Sequence, residues 1–151
     1  MLELRGASVK VGTRTLLTNV STTLVRGSVS VFVGPSGGGK STLLRSLAGI
    51  QPLDEGELLL DGAKVDIGPR SAIVAGMSIW PKVGLVFQPL FLWPHLRIRE
   101  NLTVGAEKEI GEAEIDRLAS QLNFGGLLSR YPNEVSVGQR QRVALARAVH
   151  V

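Results

Sequence analysis

The stretch "GPSGGGKST" at residues 34–42 constrains this chain more than any other. It has the spacing G-x-x-x-x-G-K-S, with Gly34, Gly39, Lys40 and Ser41 at the defining positions. Glycines let consecutive backbone N–H groups curl into a concave nest that fits phosphate oxygens. The flanks agree with such a loop. In "SVSVFVG" the residues Val29, Val31 and Val33 alternate as in a strand, which predicts a parallel core strand ahead of the loop. Behind it, Leu43, Leu44 and Leu47 mark one face of a helix that Gly49 stops. A glycine-rich turn matching by chance would lack both neighbours. Gly34, Pro35, Ser36, Gly37, Gly38, Gly39, Lys40, Ser41 and Thr42 are therefore read as a nucleotide phosphate site. The helix start faces the anion with its free N–H groups and positive dipole end. Lys40 adds a mobile charge for the β- and γ-phosphates, and the Ser41 hydroxyl is a ligand for Mg²⁺.

Around this loop the chain reads as strands first and helices later. Leu2 and Leu4, then Val9 and Val11, then Val20, Thr22 and Leu24 alternate with period two. "EGELLLDGAKV" reads as a strand that turns at Asp61-Gly62, and "KVGLVFQ" over 82–88 as another strand. Residues 89–134 change character: prolines, a helical stretch near Glu107–Leu122, and a turn at Gly125-Gly126. The end, "NEVSVGQRQRVALARAVHV", opens a last helix. There Ser136 stands at the N-cap with Gln139 three residues on, the spacing of a capping box.

Composition narrows the class. With 151 residues and 44% apolar side chains, the chain is one domain, or part of one, with enough apolar surface for a core. Its 18 glycines are well above the usual ~7%. They cluster, which points to special backbone conformations and not to a linker. The absence of Cys excludes disulfides and thiolate metal sites. A net charge of +4 fits an anionic ligand and argues only weakly for nucleic acid. Glu3 and Arg5 interrupt any leader-like start, and Pro81, Lys82, Gln88, Pro89 and Pro94 break the apolar stretch at 79–96. The expectation is a soluble or peripherally docked chain.

Three elements in order then carry a resemblance over the whole chain, from Leu2 onward. The first is the loop at 34–42. The second is "VGLVFQ", ending at Gln88, followed by "LWPHLRIRENL". The third is "EVSVGQRQR". Together they resemble the nucleotide-binding domain of ATP-binding cassette (ABC) transporters: its P-loop, its Q-loop, and its LSGGQ signature ahead of a basic helix. The spacings 40→88 and 88→136 are equal at 48 residues, suited to a compact helical insert.

The resemblance implies an α/β fold: a P-loop NTPase core of ABC type, with N-terminal antiparallel strands and an α-helical subdomain. It implies a division into a β-subdomain and P-loop core over 1–88, a helical subdomain over 89–135 and a signature helix over 136–151. ATP and Mg²⁺ are the implied ligands, with Gln88 beside Ser41 as metal ligand and as a nucleotide contact. Ser136, Val137, Gly138 and Gln139 are implied to contact nucleotide in trans, in a head-to-tail dimer of two such domains. Transmembrane permease subunits are the implied partners, on the cytoplasmic face of the cell membrane. An importer of small polar solutes such as amino acids is the leading expectation. A truncated remnant that binds nucleotide without turnover is one alternative. The other, an ABC-type ATPase on nucleic acid or the ribosome, suits the short spacings and missing Cys poorly.

The chain departs from the family pattern in three places. Val137 replaces the first glycine of the signature. Val11 stands where the family places an aromatic ring against adenine. The family's Walker B strand, catalytic Glu, D-loop and switch His would follow Val151, so no catalytic residue is identified and the domain is read as incomplete at its C-terminus. His95, in a turn, and His150, at a helix end, are not substitutes. Glu107, Glu109, Glu112 and Glu114 are read as a solvated helix face; for Arg140, Arg142 and Arg147 a solvated face is the leading reading and contact with a partner the alternative.

Overall fold

Two long alternating stretches near the start form a hairpin, β1 (Leu2–Val11) and β2 (Arg14–Leu24), joined through Gly12 at a positive φ of 59°. Pairing is antiparallel, from Leu2 opposite Leu24 to Val11 opposite Arg14, with irregularities between Leu4 and Lys10. Gly6 and Asn19 take left-handed backbone at these bulges, and serine hydroxyls accept the displaced N–H groups. Gly6 N donates to Ser21 Oγ at 2.9 Å, and Asn19 N to the buried Ser8 Oγ at 3.1 Å. We describe residues 1–67, 79, 82–105 and 110–150, from a computed structural model.

On its other edge β1 pairs antiparallel with β3 (Glu55–Leu60), which turns into β4 (Ala63–Val65), giving the order β2-β1-β3-β4. Asp61 and Gly62 both have positive φ, 51° and 83°, as a two-residue turn matched to strand twist requires. The expected hairpin is therefore present. Gly56 marks a close crossing: a Cβ there would stand 2.4 Å from the Arg5 carbonyl oxygen. One sheet face buries Leu2, Leu4, Val9, Leu17 and Leu58, and Leu43 and Leu47 of α1 (Lys40–Leu47) join the same core. Leu44 does not: it is exposed, so the apolar face is narrower than the sequence pattern implied. Gly49, at φ 68°, follows the helix end as expected.

The strand expected over Val29–Val33 is absent from the sheet. Val29, Val31 and Val33 are 91%, 77% and 90% exposed, while Phe32 packs against the core. An inner parallel strand needs backbone partners from distant segments on both sides, and no strand among the described residues supplies them. The strand expected over 82–88 likewise forms turn and loop.

The chain divides into two compact units, Met1–Leu85 and Val86–Val151. The second is helical. It contains α2 (Ile98–Thr103), α3 (Glu112–Gln121), short 3-10 turns at Gly125–Leu127 and Pro132–Glu134, and α4 (Val137–His150). Its core joins Ile98, Leu102, Ile115, Phe124 and Val143, with Ala119 and Ala146 allowing close helix approach. Of the helical stretch expected near 107–122, the part from Glu112 is present; Glu107 and Glu109 lie outside the described residues.

The loop at 93–97 is held by one buried side chain. Asn101 Oδ1 accepts from Trp93 N at 2.7 Å, and its Nδ2 donates to the carbonyls of Trp93, Leu96 and Arg97 at 2.9–3.1 Å. His95 sits in this turn with its ring edge-on to Trp93. Two arginines of α4 correct another expectation, since Arg140 and Arg147 are half-buried against backbone carbonyls, whereas Arg142 is exposed as expected. Arg140 donates to Pro132 and Val135, Arg142 to Asn123, and Arg147 to Leu90 and Phe91. Partial burial pulls the Arg147 guanidinium below its usual pKa. The α3 carboxylates are surface groups, with Glu114 paired to Arg117 and Glu112 to Arg99.

Candidate phosphate-binding site

The loop ahead of α1 is shaped by three glycines in a row. Gly37 and Gly39 take positive φ of 78° and 84°, and Gly38 N closes a turn on the Pro35 carbonyl at 3.1 Å. Gly39 has two independent reasons to be glycine. Its φ is left-handed, and an added Cβ would come within 2.7 Å of the Leu16 carbonyl oxygen in β2. The hairpin thus supports the loop from one side, and α1 starts where Leu43 N donates to the Gly39 carbonyl at 2.8 Å.

The N–H groups of Lys40, Ser41 and Thr42 precede that first helical bond and have no acceptor within the helix. No side chain caps them, and the first turn holds no acidic residue, so the positive end of α1 is uncompensated by the chain itself. Lys40 Nζ folds back across the loop, donating to the Gly34 carbonyl at 2.8 Å and the Pro35 carbonyl at 2.6 Å. An ammonium spanning a ring of free donors, with Ser41 exposed next to it, is an arrangement for an anion of several oxygens. The residues present therefore fit a nucleotide polyphosphate.

Gln88 and the signature residues 136–139 lie in the second unit. Gln88 is an exposed residue in a bend, near the edge-on pair Phe87 and Phe91. Ser136 and Gln139 form the expected capping box: Ser136 N donates to Gln139 Oε1 at 2.7 Å, and Gln139 N to Ser136 Oγ at 3.3 Å. Val137 is 59% exposed, and the space around the Gly138 α-carbon is open. Val11, at the tip of the first hairpin, is 57% exposed. Two residues with roles in these arrangements escaped the sequence reading. Asn101 left a faint signal, as a polar residue between the core positions Ile98 and Leu102. Arg14, whose guanidinium reaches Gly37, left none.

Among the described residues, no cluster of three or more His, Cys, Asp or Glu side chains could hold a metal. No helix among them is long and apolar enough to cross a membrane. A mixed α/β unit with a glycine loop feeding a helix N-terminus defines a P-loop nucleotide-binding fold. Comparison with known proteins makes this specific. Residues 17–151 match the ABC transporter family. The whole chain aligns at 38% identity with the glutamine transport ATP-binding protein GlnQ of Escherichia coli (strain K12), spanning 64% of it. Over 98% of its length it is 40% identical to a putative ATP-binding protein of Brucella abortus (strain 2308), spanning 41% of that protein. A solved structure, the dimeric post-hydrolysis state of the ATP-binding cassette MJ0796 bound to ADP and Pi, matches with a TM-score of 0.77 and 29% identity. That match covers 99% of this chain and 69% of the other. The chain belongs to the ABC transporter family and corresponds to its nucleotide-binding domain, although it spans less than two thirds of these curated relatives.

Proposed function

We propose that this chain is the ATP-binding, energy-coupling part of an ABC importer for small polar solutes such as amino acids. The observation that carries the nucleotide site is the Lys40 ammonium, held across Gly34 and Pro35 beside an uncapped helix start. In this reading the nest at 37–42 holds the β-phosphate, and Lys40 leaves its two carbonyls to follow the γ-phosphate. The Ser41 hydroxyl is the proposed Mg²⁺ ligand in this unit, with Gln88 carried by family resemblance as the other. When bound, the metal neutralises charge building on the phosphate oxygens.

Partners enter the proposal from two directions. MJ0796 is described as dimeric, which supports a second copy whose phosphate loop meets Ser136, Val137, Gly138 and Gln139. The capping box supports this by fixing the start of α4, an uncapped alternative of which would fray. The solute class is suggested by GlnQ and by the glutamate/aspartate import ATP-binding protein GltL of Escherichia coli (strain K12), 35% identical. Permease subunits on the cytoplasmic face of a membrane complete the assembly, and hydrolysis is proposed for a cassette of full family length.

Calorimetry on Lys40→Ala tests the site. The loss should be about 10- to 100-fold for ATP, the range of a charge-assisted contact, and clearly smaller for ADP. Equal losses for both nucleotides would remove Lys40 from the γ-phosphate.

A further inference from the structure

Arg14 opens β2, opposite Val11 across the hairpin. Its guanidinium reaches the phosphate loop: a Cβ built on Gly37 would stand 4.0 Å from Arg14 Nη2. Arg5 and Arg26 of the same unit are bound to carboxylates, Glu3 and Asp61 respectively. The Arg14 side chain has no hydrogen bond or ion pair among the described residues. An exposed guanidinium without a carboxylate lies beside the middle of a loop whose N–H groups await an anion. Its planar fork suits two oxygens of one phosphate, a geometry that the Lys40 point charge does not offer.

A second observation concerns the other end of a nucleotide. Among the described residues of Met1–Leu85 the sole aromatic side chain is Phe32, and it packs against the core. Those described residues therefore show no free ring on which a base could stack, a contact worth ~1–3 kcal/mol where it exists; Trp80 lies outside them.

We infer that Arg14 is a second phosphate-contacting cation beside Lys40, and that the site selects a polyphosphate chain with little regard to the base. The inference rests on the phosphate-site reading above and adds to it a residue and a ligand preference. Arg14 would approach from the hairpin side and Lys40 from α1, so a phosphate at Gly37 meets positive charge from both.

Titration calorimetry of the full chain with the Mg²⁺ complexes of ATP, GTP and inorganic tripolyphosphate tests this. The unaltered protein should bind the three within about threefold of one another. Arg14→Ala should weaken all three by about tenfold, the scale of one charge-assisted contact, and Arg14→Lys by less. Unchanged thermal unfolding of Arg14→Ala would show that its fold is intact, as an exposed side chain predicts. If Lys40→Ala weakens binding while Arg14→Ala does not, Arg14 is no ligand contact and the phosphate site stands without it. Preference for ATP over GTP and tripolyphosphate by more than tenfold would overturn the base-blind selection. Binding that neither substitution alters, or none at all, would remove the phosphate site together with this inference.

Discussion

The two compact units satisfy their backbones in opposite ways. In Met1–Leu85 the described strands form a sheet of two local hairpins around β1, while the valine stretch just before the phosphate loop has no strand beside it among the described residues. In Val86–Val151 the helices close their own hydrogen bonds, and the irregular turns between them are held by side chains. Asn101 ties down 93–97, while Arg140 and Arg147 tie down the carbonyls of 132, 135, 90 and 91. A helix completes its hydrogen bonds within four residues; a strand depends on whatever lies alongside. The helical unit is thus self-sufficient from a short stretch of sequence, and the inner strand is not.

Substitutions at the tightest point of each unit would sharpen this contrast. The largest effect is expected at Gly56, where φ is 89° and a Cβ would collide with the Arg5 carbonyl and with Gly6. Gly56→Ala should cost about 3 kcal/mol or more, by strain plus forced separation of β1 from β3. Hydrogen exchange should show protection lost at the β1 amides facing β3. Intact protection there would mean that the sheet yields more easily than its spacing implies.

Next comes Asn101. Asn101→Ala leaves the Trp93 N–H and the Leu96 carbonyl without their partner, while the Trp93 and Arg97 carbonyls keep backbone N–H groups of residues 96 and 101, for a cost of about 2 kcal/mol. Trp93 emission, isolated in a Trp80→Phe background, should shift to the red as the loop loosens. An unmoved spectrum with unchanged stability would show that the turn holds itself, and the contrast between the units would weaken.

The smallest effect is expected at Asp61, whose exposed carboxylate meets the N-terminal ammonium at 2.5 Å and Arg26 at 2.7 Å. The ammonium first, then Arg26, hold its pKa below the ordinary carboxylate value. A lowered folded pKa stabilises above the unfolded value and loses that effect as pH falls through the folded one. Asp61→Asn keeps a residue that tolerates the positive φ, so it removes the charge alone. Its melting temperature should lie slightly below that of the unaltered protein at neutral pH. The gap should close below about pH 4 and shrink in salt. A gap that persists in acid would assign the effect to turn geometry.

What the sequence determined by itself is local. The spacing of Gly34, Gly39, Lys40 and Ser41, the reciprocal pair Ser136 and Gln139, and the Asp61-Gly62 turn each depend on residues a few positions apart. Their backbone angles and hydrogen bonds follow with little reference to the rest of the chain. Tertiary structure decided the rest. It set Gly56 against Arg5, brought Arg14 over Gly37, turned Leu44 outward, and gave the α4 arginines to carbonyls up to 57 residues away. It also decided that Val29, Val31 and Val33, an alternation indistinguishable from that of β1, join no strand among the described residues. The physical reason is the same in each case. A periodic pattern states which face a segment offers, but a strand's backbone partners and a long side chain's hydrogen bonds come from remote segments whose approach only the folded chain fixes.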